Sequence, residues 1–361
     1  MRGGLKSRKD RYSVLKFTVL TENQEKEGLE CEHGLSFYIE YKNKKYLLDA
    51  GKTEVFMRNA AQLGIDLRKV DAAVLSHAHY DHADGFETFF QVNDTAKVFA
   101  CAPGKLADCW SVGSESTRYI GIKPEILEKY GQRFCWVSSA VTDAMDDTKK
   151  EAEGRIVGLS GTADGVDGAT ERTNGVTGLT DGVWLVPHST PNLSEIGART
   201  GMYRRCCTEE RAYTADQQIE QQMEQQIGRS ECFHETEMSG ECLVPDDFAH
   251  EQSLVFETDD GLVIFNSCSH GGVANIVSEV RRAFPKKQII AYIGGFHLKA
   301  PGVDALNCTE QEVEELGRSL LGLGIRQIYT GHCTGKTGYE VLKRVMGDVL
   351  QPLYPGLRAE V

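Results

Sequence analysis

Residues 77–82 read His-Ala-His-Tyr-Asp-His, with Gly85 three positions behind. Imidazole and carboxylate groups are the usual ligands of zinc, iron(II) and manganese. In an extended segment, side chains two residues apart point the same way, so His77 and His79 can grip one cation. Asp81 and His82 need a turn, which Gly85 helps to close, and then address a second cation beside the first. The spacing therefore predicts two metal ions about 3.5–4 Å apart, the separation typical of two-metal hydrolytic centres. A structural zinc would use cysteines and leave no open position.

Later segments repeat the design. Cys268 and His270 lie in "NSCSHGG", His297 in "IGGFHL", and His332 with Cys333 in "TGHCTG". Each histidine follows an apolar run that reads as a strand, and each sits among glycines. Strand ends are where an α/β scaffold displays chemistry. The pattern predicts that these residues and the 77–82 cluster meet at one edge, which a histidine-rich surface loop would not require.

The elements that must position them are legible in outline. "VLKFTVL", "LSFYIEY" and "KKYLLDAG" read as strands across residues 14–51. Residues 53–64 predict a helix with Val55, Met57, Ala60, Ala61 and Leu63 on its apolar face and Gly64 as its stop. "VDAAVLS" is a short buried-type strand that delivers the histidine cluster. Residues 142–181, rich in Gly, Thr and Asp, read as an insertion or mobile segment with short strands around 155–160. Residues 190–245 read as a polar helical or loop segment. Within it, the glutamine-rich 216–228 predicts a solvated helix, the alternative being a lid. The last third alternates regularly. A hairpin turns at Asp259–Gly261, helices follow from Val273 and from a Thr309–Glu312 capping box, and strands are expected at 287–295 and 326–332. Strands in front and strand–helix alternation behind predict an α/β layered domain.

Bulk properties narrow the function. The chain has 361 residues and a net charge of -13, which argues against nonspecific nucleic-acid or anionic-membrane binding. No run approaches the roughly 20 apolar residues of a membrane span. The basic start, "MRGGLKSRKDRYS", has no apolar run after it and does not read as a secretory signal. The 11 cysteines are scattered without a CxxC pair, which fits a reduced cytoplasmic protein. The expectation is a flexible basic tail at 1–13, a single domain over 14–361, and a small-molecule substrate with no nucleic-acid or membrane partner.

"HAHYDH" matches the HxHxDH signature of the metallo-β-lactamase fold superfamily, and "YLLDAG" resembles its first motif, in which Asp49 buttresses the metal loop. "EHGLS", "CSHGG", "IGGFHL" and "GHCTG" resemble the branch named for dihydropterin-ribofuranosylaminobenzene phosphate synthase. The resemblance covers about residues 14–345 and is weakest between about 140 and 240. It implies a four-layer αββα sandwich of two mixed sheets with helices outside. It also implies two divalent ions at one edge, zinc first, with manganese or iron as alternatives. His77 and His79 match ligands of the first ion, Asp81 and His82 ligands of the second, and His332 the last metal histidine. The superfamily's bridging aspartate falls at Cys268. The branch's Cys-Ser-His pattern makes His270 the expected ligand, with a Cys268 thiolate as the alternative. The middle histidine has no clear match; His188 and His250 are candidates, although such histidines are more often structural. His297 is expected to face substrate, and His33 either bonds near the site or packs locally.

The activity implied is hydrolysis of an ester, lactone or phosphate ester, with Asp81 and His297 in catalytic roles. The branch name implies a second reaction, joining an arylamine to a dihydropterin methyl carbon with loss of pyrophosphate. The substrate would then be anionic or pterin-like. A non-catalytic metal-binding protein is a third reading. Iron relatives that handle oxygen or nitric oxide carry a glutamate where His79 stands and a flavin domain, neither of which is seen.

Overall fold

The computed structural model describes residues 14–101, 108–113, 116–137, 171–173, 176–205, 243–300 and 303–361. The expected tail at 1–13, the strands around 155–160 and the glutamine-rich 216–228 lie outside the described residues.

Two mixed sheets dominate. In spatial order the first holds Arg358–Glu360, Lys16–Thr21, Ser36–Tyr41, Lys44–Leu48, Ala72–Val74, Val98–Cys101 and Phe134–Val137. The second holds Leu350–Pro352, Gln327–Thr330, Ile289–Ile293, Gly261–Phe265, Gln252–Thr258, Val183–Pro187, Val176–Thr180 and Glu171–Thr173. Strand alternation sorts the side chains into layers. Phe37, Ile39 and Leu48 point into the space between the sheets, while Tyr38 and Leu47 point outward. Val263 and Phe265 likewise face inward, and Leu262 and Ile264 outward. Phe17 and Phe37 meet Phe265 edge-on at ring-centroid distances of 5.5 and 5.6 Å, closing the central layer across the two sheets.

Helices cover both outer faces. Phe56 and Ala60 of the helix Val55–Gln62, with Phe86 and Phe89 of Phe86–Val92, pack on the first sheet. Val273, Ile276 and Val277 of Val273–Ala283, with Val313, Leu320, Val341 and Leu342 of the two later helices, pack on the second. This is the four-layer sandwich expected from the sequence. The Thr309–Glu312 capping box forms, and the strands on either side of Asp259–Asp260 make the expected hairpin.

The structure corrects several boundaries. Val176–Thr180 is a strand of the second sheet with four buried residues, so the proposed insertion cannot extend across it. Part of the 190–245 segment is also regular. Leu193–Thr200 is a helix, and Met202–Arg205 and Leu243–Pro245 join Cys109–Val112 and Thr117–Tyr119 in a small third sheet. These strands are short and lack strict alternation, so their pairing had no local signature. In the helix Val55–Gln62, Ala61 is exposed, and the buried face uses Phe56 and Asn59 instead. Asn59 is buried because its amide donates to Leu20 and Glu30 carbonyls at 2.8 Å each.

Candidate metal centre

The predicted site residues converge at the carboxyl ends of the central parallel strands. The 77–82 loop leaves Ala72–Val74 in the first sheet. Cys268, His270, His297, His332 and Cys333 follow Gly261–Phe265, Ile289–Ile293 and Gln327–Thr330, three adjacent parallel strands of the second. The loops are held in an unusual conformation: Asp49, Ser269, His297 and His332 all have φ between 48° and 56°. Non-glycine residues persist there only where their surroundings over-determine them. Close approach adds a second constraint, since a Cβ on Gly85 would stand 2.0 Å from the Ala50 carbonyl oxygen.

Asp49 organises the first loop. Its fully buried carboxylate accepts from the Ser76 amide at 2.7 Å, the Ser76 hydroxyl at 2.7 Å and His82 Nδ1 at 2.8 Å. A carboxylate can only accept, so His82 carries its proton on Nδ1 and turns a bare Nε2 toward the centre. Ser76 Oγ lies 2.8 Å from His77 Nδ1, leaving His77 Nε2 inside the site without a partner. His332 is fixed in the same way, with Nδ1 2.8 Å from Asn23 Oδ1. Its Nε2 then stands 3.1 Å from His82 Nε2 and 3.3 Å from Asp81 Oδ2.

That contact is a test of metal fitness. Two bare imidazole nitrogens at 3.1 Å repel unless a proton or a cation lies between them. Ligands of a tetrahedral zinc, with Zn–N about 2.0–2.1 Å, stand about 3.3 Å apart. Without a metal, a proton takes the place: burial lowers the basicity of His332, but Asp81 outweighs it and raises the imidazole to about 9. Burial likewise pushes the Asp81 carboxyl up, yet His82, His332 and His33 around it hold it well below the ordinary carboxylate range.

His77, His79 and His270 form the second group. Their ring centroids are 4.6 to 4.8 Å apart, and their ligand atoms lie close enough to share one ion. Neither nitrogen of His270 has a hydrogen-bond partner, nor has His79 Nε2. Burial and the neighbouring histidines keep all three neutral, with His79 lowered to about 3 and His77 and His270 well below the ordinary value. Buried, unsatisfied, neutral imidazoles are costly unless something occupies their lone pairs. The donor set fits divalent cations.

The two candidates for a middle histidine stand elsewhere. His250 Nδ1 accepts from the Ala78 amide at 3.1 Å, and its Nε2 faces Asp246 Oδ2 at 2.9 Å. It therefore pins the backbone between His77 and His79 from behind. His188 is held between Glu279 at 2.9 Å and Glu251 at 3.1 Å. Glu251 in turn accepts from the Gly271 amide, next to His270. The place beside His77 and His79 is taken by His270 itself, and Cys268 sits two residues before it. The sequence offered one position for two roles, whereas the turn supplies both side chains.

His297 is half-buried, with its ring 4.1 Å from that of His270 and its Nδ1 unpartnered. His33, whose placement the sequence left open, faces the site: Nε2 lies 3.3 Å from Asp81 Oδ2, and the ring stacks on His332 at 5.2 Å. These groups line a cavity of about 200 Å³ together with Asn23, Tyr80, Arg118 and Lys299. Sequence reasoning missed these four. Asn23 lies two residues after the strand Lys16–Thr21, a strand-end position that could have flagged it. Arg118 and Lys299 are exposed, and no described carboxylate pairs with either. A larger surface depression of about 630 Å³ near Lys16 and Glu360 shares no residue with this site.

The layered architecture is the metallo-β-lactamase fold. The family model described as metallo-beta-lactamase superfamily matches residues 29–98, the span containing Asp49 and the histidine loop. Among individual proteins, the chain is similar to the 7,8-dihydropterin-6-methyl-4-(beta-D-ribofuranosyl)-aminobenzene-5'-phosphate synthase of Methanocaldococcus jannaschii. The two are 26% identical over 90% of this chain and 88% of the relative. An uncharacterised protein of the same organism is 36% identical over 30% of this chain and 41% of its own. Among solved structures, Tm1679, described as a metal-dependent hydrolase of the beta-lactamase superfamily, superposes with a TM-score of 0.63 at 24% identity. That match covers 96% of this chain and 99% of Tm1679 and shows the shared fold. Among the described residues, no helix is long and apolar enough to cross a membrane.

Proposed function

We propose that this protein is a metal-dependent hydrolase acting on an anionic ester, a phosphate ester foremost. One observation carries the reading: His79, His270, Asp81 and His332 line one cavity, with His77 and His82 buried directly behind them, and Arg118 and Lys299 flank it with no described carboxylate paired to either. His77, His79 and His270 would hold one cation, and Asp81, His82 and His332 the other. When bound, such ions supply Lewis acidity and make water a nucleophile at neutral pH.

The chain's own groups do the rest. Arg118 and Lys299 attract and orient the anionic group, at a mouth where the net charge of -13 would otherwise repel it. The Asp81 carboxylate, held ionised, accepts a proton from the attacking water. His297 donates a hydrogen bond to an oxygen of the reacting group, where charge builds as the ester bond breaks. Zinc- or manganese-loaded protein should release phosphate from simple phosphate esters, and Asp81→Ala should abolish turnover. Asp81→Ala with full metal and full turnover would remove Asp81 from this role.

The synthase relative favours a second reading, a transfer reaction in which an arylamine takes the place of water and diphosphate departs. The same two cations of the protein would hold the leaving diphosphate. Incubation with a dihydropterin methyl diphosphate and an arylamine separates the readings: a coupled product establishes transfer, and phosphate release from esters without coupling establishes hydrolysis.

A further inference from the structure

A second cavity, of about 290 Å³, adjoins the one of about 200 Å³ over the metal centre. The two share His297 and Lys299, and Arg199 and Asn307 line the far side of the second. Small-molecule pockets start at roughly 300 Å³. Neither cavity reaches that size alone, whereas the two joined at His297 and Lys299 fall within the range.

Both walls of the second cavity are firmly built. One is the loop after Ile289–Ile293, which folds back on itself. The Asn307 amide N–H donates to the Leu298 carbonyl at 2.9 Å, and the Ala300 N–H to the Ala305 carbonyl at 2.8 Å. The Asn307 side chain donates to the His297 carbonyl at 2.7 Å, bracing His297 at its φ of 51°. Its Nδ2 carries two N–H groups, so one remains for a ligand. The other wall is the end of the helix Leu193–Thr200, where it meets the small third sheet. Gly201 turns the chain there at φ 69°, and its carbonyl accepts from the Val112 amide at 2.8 Å. A Cβ at Gly201 would stand 2.6 Å from the Val112 carbonyl oxygen. The last helical turn, which carries Arg199, is thereby fixed against the strand Cys109–Val112.

The charges along the joined cleft have one sign. Arg118 lines the first cavity, Lys299 both, and Arg199 the second. A cation suits the last turn of a helix, but that does not require Arg199 to share a cavity with Lys299. No described carboxylate forms an ion pair with Arg199. Glu312 feels its charge, yet that carboxylate is spent on the Thr309 amide and hydroxyl at 2.8 Å each. A guanidinium presents a planar fork that matches phosphate and carboxylate groups.

The geometry points to a second anion subsite, formed by Arg199 and Asn307 beyond Lys299. The substrate is then an ester with two separated anionic groups. One reacts at the metal centre, and the other, a phosphate or a carboxylate, is held at Arg199. The inference rests on the proposed hydrolase reading for the end that reacts, and adds the class of substrate.

Calorimetric titration of the zinc-loaded full-length chain tests it without turnover. The probes are propylphosphonate and two series of graded chain length, α,ω-alkane bisphosphonates and ω-phosphonocarboxylates. At least one two-headed probe should bind about tenfold tighter than propylphosphonate. A bisphosphonate in that place assigns a phosphate to the subsite, and a phosphonocarboxylate assigns a carboxylate. Arg199→Ala should erase the advantage, and Arg199→Lys should keep part of it. Because the advantage is a ratio within each protein, a general loss of binding is not mistaken for loss of the subsite. Equal affinities at every length in wild type, or an advantage undiminished in Arg199→Ala, would overturn the subsite. Failure of the hydrolase reading looks different: no phosphate release from any ester, with the two-headed advantage intact.

Discussion

His250 and His270 are both buried, and they flank His79 with ring centroids 5.5 and 4.6 Å away. Their nitrogens are spent differently. His250 accepts from the Ala78 amide and faces Asp246, so its hydrogen-bonding capacity is used within the chain. His270 has no partner on either nitrogen. His188 differs from His77 and His79 in its charged partners: Nδ1 bonds Glu279 at 2.9 Å and Nε2 stands 3.1 Å from a Glu251 carboxylate oxygen. His250, on the inner side of the site, is satisfied and supports the loop at Ala78. His79 and His270, which line the cavity, are left with open lone pairs. Burial alone does not tell His250 from His270; the number of partnered nitrogens does.

The strongest way to break this contrast is to remove the acceptor that organises the cavity side. Asp49→Ala leaves the Ser76 amide, the Ser76 hydroxyl and His82 Nδ1 unpaired in the core. It should cost about 3–5 kcal/mol in denaturant unfolding and release metal. An unchanged midpoint would mean that the loop holds itself.

On the inner side, His188→Gln removes the positive partner of two buried carboxylates and should cost about 1.5–3 kcal/mol near pH 6. The pH dependence has a definite sign. Burial lowers the basicity of His188, but Glu251 and Glu279 outweigh it and raise the group to about 10, against 6.5 for an ordinary histidine. Its protonation therefore contributes fully below pH 6.5, and that contribution is lost as pH rises toward about 10. The stability gap between wild type and His188→Gln should narrow over that range. A gap that widens would assign the opposite charge state.

Asp246→Asn sharpens the comparison without emptying the cavity. It weakens the hold on His250, and through it on the His77–His79 backbone. Metal affinity should fall by about 10–100-fold while stoichiometry at saturation stays the same. Fewer ions at saturation would make Asp246 or His250 a ligand rather than a support.

How much of this was legible in the sequence follows the same division. His77, His79, Asp81 and His82 are adjacent in the chain, so their shared purpose could be read from spacing alone. Cys268, His270, His297 and His332 were legible as strand-end residues. Which of them would face which half of the centre was not, because that depends on the order of three parallel strands in the second sheet. The roles of His188 and His250 were hidden for a similar reason. Glu279 is 91 residues from His188, and Ala78 is 172 residues from His250. His33 and Asn23 come from the opposite side of the molecule in sequence and meet His332 only once the two sheets stack. The layered fold was legible where apolar runs mark strands buried on both faces, as in Ser36–Tyr41 and Ile289–Ile293, whereas Val98–Cys101, Phe134–Val137, Val183–Pro187 and the short strands of the third sheet were not read.

The smallest effect belongs to the cavity mouth. Arg118→Ala and Lys299→Ala should each raise KM for an anionic ester by about fivefold, roughly 1 kcal/mol as for exposed charge pairs, with kcat nearly unchanged. High salt should blunt the difference. Equal KM values in wild type and both variants would place substrate elsewhere in the cavity.

The most direct test of the central claim is elemental analysis of metal per chain after zinc loading, in wild type, His270→Ala and His250→Gln. Wild type and His250→Gln should each hold about two ions, and His270→Ala about one. Wild type without metal, or His270→Ala holding as many ions as wild type, would contradict the account.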